Sequence, residues 1–219
     1  MKHLDRSDLR SQAVAMLRAS IVSGELSSDT VHSAAALATR MGVSITPVRE
    51  AILDLANAGL VEVIRNRGFR VLKVADEDLD EITEVRQMLE PPAMRLIVKR
   101  ASDEDLRRLW PMVDQMKVSS RSDLSAFLLQ DHNFHLNLLE LSGNARLKKA
   151  INMLRDQTRL TGIASLLHDG ALVDSAFEHE KILQALIDRE AEIAVDLMHR
   201  HIAHTRGVWV GRSEDTSVS

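Results

Sequence analysis

The sequence predicts a mainly α-helical protein, an N-terminal winged helix-turn-helix of three helices plus a β-hairpin followed by an all-α antiparallel bundle of about six helices. Three observations predict it. Apolar residues recur at three- and four-residue spacing through most of the chain, as in Val14, Leu17, Ile21 and in Leu136, Leu139. One interval breaks that spacing. There, Val61-Glu62-Val63-Ile64 and Phe69-Arg70-Val71-Leu72 are short β-branched and aromatic runs around Arg65-Asn66-Arg67-Gly68, whose Asn and Gly suit a hairpin turn. Charge divides just beyond it: residues 1–73 hold ten Lys/Arg against seven Asp/Glu, residues 74–219 eighteen against twenty-five. A mildly basic module is joined to an acidic body.

Taken in order, a first helix from about 8 to 23 ends at Gly24, and a second over about 33–41 stops at Gly42. A third begins near Thr46-Pro47, where Thr46 can cap free backbone N–H groups, Pro47 sacrifices no bond and Glu50 suits the positive helix end. The hairpin completes a DNA-binding domain over 1–75. The effector-binding and dimerisation domain, 76–212, reads as helices near 77–101, 103–118, 122–142, 144–167, 173–188 and 190–209, with a disordered tail at 213–219. Pro91-Pro92 falls inside the first of these helices and predicts a kink.

At 219 residues, 45% hydrophobic and 27% charged, the chain can bury a core and is not disordered throughout. It has no cysteine, which excludes disulfide scaffolds, thiolate zinc sites, iron–sulfur clusters and cysteine nucleophiles. Residues 1–8 lack the apolar core of a signal peptide and no apolar run is long enough to span a bilayer, so the expectation is a soluble cytoplasmic protein with no membrane partner.

Chemistry concentrates in two places. In a helix-turn-helix the second helix of the motif enters the major groove of DNA with its N-terminal residues. Here Gly42 permits the turn, Val48, Ile52 and Leu55 face the core, and Ser44, Thr46 and Arg49 are left outside with Ile45. Arg49 can reach a guanine edge or a phosphate, and Arg65, Arg67 and Arg70 put positive charge on the wing. The expected partner is double-stranded operator DNA.

The second place is the helical body, which holds seven of nine histidines after position 130. Asp131 and His135 share a helix face with Phe127, Leu138 and Leu139; His179 aligns with Leu183 and Leu186; His201 continues a stripe through Leu197. Four polar groups on inward faces need partners, and a shared metal would satisfy all of them. Three imidazoles and a carboxylate suit Zn, Ni, Fe, Mn or Co. His204, one turn beyond His201, competes for the fourth position. Arg86, and more weakly Arg155 and Arg159, can bind a small carboxylate effector bidentately, although Arg86 can equally form a surface pair with Glu90.

Residues 8–73, through Ser23-Gly24-Glu25-Leu26, Gly42-Val43-Ser44-Ile45-Thr46-Pro47-Val48-Arg49-Glu50-Ala51, Gly59-Leu60-Val61 and Asn66-Arg67-Gly68, resemble the DNA-binding domain of GntR-type transcription regulators. The remainder resembles the metal-binding ligand (FCD-type) domain of that family's FadR-like branch, through Val85-Arg86-Gln87-Met88-Leu89-Glu90, Phe134-His135, Ser142-Gly143-Asn144, Glu178-His179 and His201-Ile202. By this resemblance Asp131, His135, His179 and His201 fall where metal-binding members carry an Asp and three His, and Arg86 falls where an effector-binding Arg is common. Ile45 and Ala35 depart from it, standing where the family usually has arginines, and Ser28-Asp29 replaces a usual Pro-Gly.

The resemblance and the residues together imply a ligand-responsive repressor of a metabolic operon, released by an organic acid. A homodimer is expected, because one winged helix buries too little surface for specific recognition. Two alternatives stand beside this reading: a helical ligand-binding or oligomerising protein with impaired DNA binding, and a metallohydrolase, for which no HExxH motif, nucleophile elbow or phosphate loop is present.

Overall fold

The computed structural model describes residues 6–22, 24–73, 75–158 and 170–210. The chain divides at Val74/Ala75 into two compact units, with a short stretch from Asp156 grouped with the first. Arg159, the predicted end of the 144–167 helix and the expected tail at 213–219 lie outside the described residues.

In the first unit α1 (Arg6–Val22), α2 (Ala34–Met41) and α3 (Ile45–Asn57) precede a hairpin of β2 (Val61–Ile64) and β3 (Gly68–Val71). Leu17, Val48, Ala51, Leu55 and Phe69 are fully buried between them, so the helical spacing read from the sequence is the spacing that makes the core. Gly42 ends α2 in the left-handed conformation at φ 65°. The N–H groups of Gly42 and Val43 then return to the carbonyls of Thr39 and Ala38, which satisfies two orphan acceptors and turns the chain into α3.

Two expectations change here. The N-cap of α3 is Ser44, not Thr46, and it makes no side-chain capping bond; the helix starts at Ile45, leaving Thr46 exposed on its first turn. Pro47 still sacrifices nothing, because N–H groups in the first turn have no intrahelical acceptor. The sheet also has a third strand, β1 (Val31–His32), so the order is β1-β3-β2. His32 lies opposite Phe69 and Val31 opposite Arg70. A Cβ on Gly68, at φ 130°, would stand 2.0 Å from the His32 carbonyl oxygen, so the glycine permits the approach of β1 as well as the turn. Asn66 takes the left-handed position in the hairpin loop at φ 60°.

Among the described residues the second unit's elements are helices: α4 (Asp76–Arg100), α5 (Asp103–Arg107), α6 (Trp110–Ser119), α7 (Leu124–Glu140), α8 (Ala145–Thr158), α9 (Ala171–Ile187) and α10 (Ala191–Val210). The single helix expected over 103–118 is two. Pro111 sits in the first turn of α6, and its ring would clash with the carbonyl of Arg107, the last residue of α5. By contrast, α4 continues through Pro91-Pro92, which remove the donors that would pair with Gln87 and Met88. Helix α10 packs chiefly on α4 and α9, and α6 on α7 and α9. Among the described residues no helix is long and apolar enough to cross a membrane.

Candidate functional site

Helix α7 is capped by Asp123, whose Oδ1 accepts the N–H of Ala126 at 2.9 Å. Its inward face then carries Phe127, Asp131, His135, Leu138 and Leu139, of which the apolar members are 3% exposed or less. His179 arrives on α9 between buried Ala176, Ile182 and Leu183, and His201 on α10 beside Met198 and Ile202. The stripe on α10 therefore runs through Ala194, Met198 and His201, and Leu197 is only half-buried.

These faces bring Asp131, His135, His179 and His201 together, with one potential ligand atom from each lying within 4.8 Å of every other. His135 Nε2 is 3.0 Å from His179 Nε2, and Asp131 Oδ1 is 3.1 Å from His179 Nε2 and 3.8 Å from His135 Nε2. The outer nitrogens fix the tautomers of His179 and His201. His179 Nδ1 donates to the Ser175 carbonyl at 2.6 Å, His201 Nδ1 donates to Glu178 at 2.8 Å, and His135 Nδ1 lies 3.3 Å from Glu90 Oε2. A nitrogen donating to a carbonyl or carboxylate carries the proton, so in the neutral rings of His179 and His201 Nε2 presents a lone pair, whereas His135 Nδ1 makes no hydrogen bond to Glu90. Burial, and secondarily the charge of Arg155, holds the His135 pKa well below its ordinary value. Burial, with His179 next, lowers that of His201 to about 4. Inward lone pairs on neutral imidazoles beside a carboxylate repel one another unless a cation lies among them. The residues therefore fit a divalent metal, with outer partners that orient each ligand.

Two of those outer partners were not legible as site residues. Glu90, fully buried, takes the Arg86 Nε–H at 2.6 Å and lies 3.5 Å from Arg155 Nη1. Burial would raise its pKa, but the charges of Arg86 and Arg155 hold it well below the carboxylate range. Glu178 bridges His201 and His204, accepting from His204 Nδ1 at 2.6 Å. Burial again opposes these hydrogen bonds, and the net result is a pKa of about 2. The only hints in the sequence are that Glu90 lies four residues after Arg86 and Glu178 immediately before His179.

Arg86 is 3% exposed, so the pair with Glu90 is buried and not on the surface as one expectation had it; its Nη2 has no hydrogen-bond partner among the described residues. Arg155 Nη2 donates to Asp131 Oδ2 at 2.7 Å, which leaves Oδ1 turned to the histidines. His204 is drawn to Glu178 rather than into the cluster, His199 is exposed, and His132 is buried outside the group.

On the first unit, Ser44, Thr46, Arg49, Arg65, Arg67 and Arg70 are all exposed. Their electrostatics differ. Arg70 pairs with its cross-strand neighbour Glu62 at 2.9 Å, as Arg10 pairs with Asp54 and Arg40 with Glu25. The guanidinium groups of Arg49, Arg65 and Arg67 have no partner among the described residues. Unpaired cations at the start of α3 and the tip of the wing are the arrangement that attracts a phosphate backbone.

A winged helix carrying unpaired cations, followed in one chain by a helical unit with a buried histidine–carboxylate cluster, defines a ligand-sensing transcription regulator. Residues 9–71 match "Bacterial regulatory proteins, gntR family" and residues 81–204 match the FCD domain. The chain is similar to the probable D-xylose utilization operon transcriptional repressor of Paenarthrobacter nicotinovorans, at 30% identity over 92% of this chain and 89% of that one. It is similar also to the HTH-type transcriptional regulator LutR of Bacillus subtilis, at 29% over 89% and 98%. Its fold is that of the solved structure of E. coli McbR/YncC, with a TM-score of 0.82, 24% identity, and 93% and 97% of the two chains covered. The chain belongs to the GntR family of bacterial regulators and carries an FCD domain. It is a transcription regulator that binds DNA and not an enzyme, which sets the metallohydrolase alternative aside.

Proposed function

We propose that the protein is a cytoplasmic, dimeric repressor of a metabolic operon whose operator affinity is set by a small carboxylate bound at a metal in the helical unit. The observation that carries the sensing half is the convergence of His135, His179, His201 and Asp131 around one point, with the buried Nη2 of Arg86, unpartnered among the described residues, in the same network through Glu90. Asp131, His135, His179 and His201 would hold the metal, and Arg155 would orient Asp131 for it. The metal, when bound, supplies a Lewis-acidic point to which a carboxylate can coordinate. The Nη2 of Arg86 offers a donor for that acid.

The DNA half rests on Ser44, Thr46 and Arg49 at the start of α3 and on Arg65 and Arg67 on the wing. Arg70, already paired with Glu62, contributes less. Two such modules in a dimer would read a palindrome. Repression is supported by relatives named as repressors, the D-xylose regulator above among them.

The test uses the full-length protein and a duplex selected from a random library. Binding by fluorescence anisotropy should be sequence-selective and should weaken steeply between 50 and 200 mM salt. Equal affinity for selected and scrambled duplexes would leave only a sensing protein that has lost its DNA function.

A further inference from the structure

Between the recognition helix and the wing lies an open cleft of about 410 Å³ whose walls mix apolar side chains with the polar groups of Ser33, Asn66, Arg49 and Arg67. Ala34, Ala35, Ile45, Leu53 and Val63 line it, and Arg49 stands among them. Leu53 is 55% exposed and Val63 52% exposed, so their side chains are not consumed by the core. Ile45 is only partly buried, packing on one side against the core and opening on the other into the cleft. Of the groove-facing residues on the first turns of α3, only Arg49 is a cation.

A surface of this composition reads bases in two ways. Arg49 can donate two hydrogen bonds to guanine O6 and N7, while Ile45 and Ala35 have no polar group to offer a base edge. The one apolar group a base pair presents in the major groove is the 5-methyl of thymine. We infer that Ile45, with Ala35 lining the same cleft, is a specificity-determining residue that selects thymine through its 5-methyl group, next to a guanine selected by Arg49. Residues 45 and 49 are one turn apart, about 6 Å along the helix, against about 3.4 Å per base step, so the two bases lie one or two steps apart. The operator of this protein is therefore defined in part by thymines whose methyl groups are covered. The inference rests on the DNA-binding reading given above.

Deoxyuridine tests it cleanly, because replacing thymine by uracil removes the methyl and leaves the pairing and its hydrogen-bonding edge intact. Full-length protein is first used to select its operator from a random duplex library. Each thymine of the selected site is then replaced singly by deoxyuridine and affinity is measured by anisotropy. The expected result is a loss of about fourfold at one or two positions in each half-site, the size of burying one methyl group, within two steps of the guanine that Arg49→Ala ceases to discriminate. Ile45→Ala, checked for folding by circular dichroism, should bind the thymine and uracil operators equally at those positions. Ile45→Val should retain part of the difference. Uniform insensitivity of the wild type to uracil, or a sensitivity that persists unchanged in Ile45→Ala, overturns the inference while leaving DNA binding intact. Failure to select any sequence overturns the DNA-binding reading and the inference together.

Discussion

Replacing Glu90 by Gln should destabilise the helical unit far more than its conservative size suggests. The carboxylate is fully buried, 2.6 Å from Arg86 Nε, 3.5 Å from Arg155 Nη1 and 3.3 Å from His135 Nδ1. Glutamine keeps an acceptor oxygen but removes the charge that compensates two buried guanidinium groups. Breaking a buried ion pair from one side costs about 3–5 kcal/mol, because the surviving charge is left in a low-dielectric interior. Arg155 retains Asp131 at 2.7 Å, which places the loss near about 3 kcal/mol. For a chain of this size that corresponds to a fall in melting temperature of about 6–12 °C. Thermal and urea unfolding followed by circular dichroism at matched metal content would read it. The double variant Arg86→Met/Glu90→Leu should recover much of the loss, since replacing both partners by apolar groups removes the uncompensated charge. A Glu90→Gln variant within about 0.5 kcal/mol of wild type, the range of an ordinary surface change, would refute the reasoning.

Three further outcomes follow from the same geometry. Purified protein should contain about one divalent metal per chain, and His179→Ala should abolish it and lower the melting temperature, as elemental analysis with a thermal melt would record; full metal content in that variant would contradict the ligand set. Arg49→Ala should cost about 1–3 kcal/mol of operator affinity, whereas Arg67→Ala should weaken all sequences alike and flatten the salt dependence, both read by anisotropy across a salt series. The metal-free protein should lose stability as the pH falls: His201 titrates near 6.5 when unfolded and near 4 when folded, so the unfolded state binds the extra proton between those values. His201 alone adds a slope of up to about 1.4 kcal/mol per pH unit, accumulating to about 3 kcal/mol, and His135, lowered in the same direction, adds to it; urea midpoints at stepped pH would measure the sum, and flat stability across the window would count against neutral, buried histidines.

Most of this architecture was legible because it is local. The spacing of Val48, Ile52 and Leu55, or of Phe127, Asp131, His135 and Leu138, specifies which face of a helix turns inward, and inward-turned polar residues on separate helices must meet one another. What escaped depends on relations the sequence does not carry nearby. The two-residue strand Val31–His32 exists only through its pairing with β3, nearly forty positions away, and its short run has no alternation to detect. Glu90 and Glu178 look like any exposed helical glutamate until the helices opposite them supply Arg155 and His201. The break between α5 and α6, by contrast, was available in Pro111, whose ring clash reaches back four residues. That one glutamate, Glu178, bonds both His201 and His204 is a contact between α9 and α10 that no spacing encodes.

The most direct measurement is reciprocal calorimetry on metal-loaded, full-length protein, titrating a panel of small mono-, di- and tricarboxylates with and without saturating operator. The expected result is an acid whose binding is lost in Arg86→Ala and in His179→Ala, and which weakens operator binding by about 5–150-fold while the operator weakens its binding by the same factor. An acid bound at the metal that leaves operator affinity unchanged, or a metal-loaded protein that binds no acid in the panel, would contradict regulation through this site.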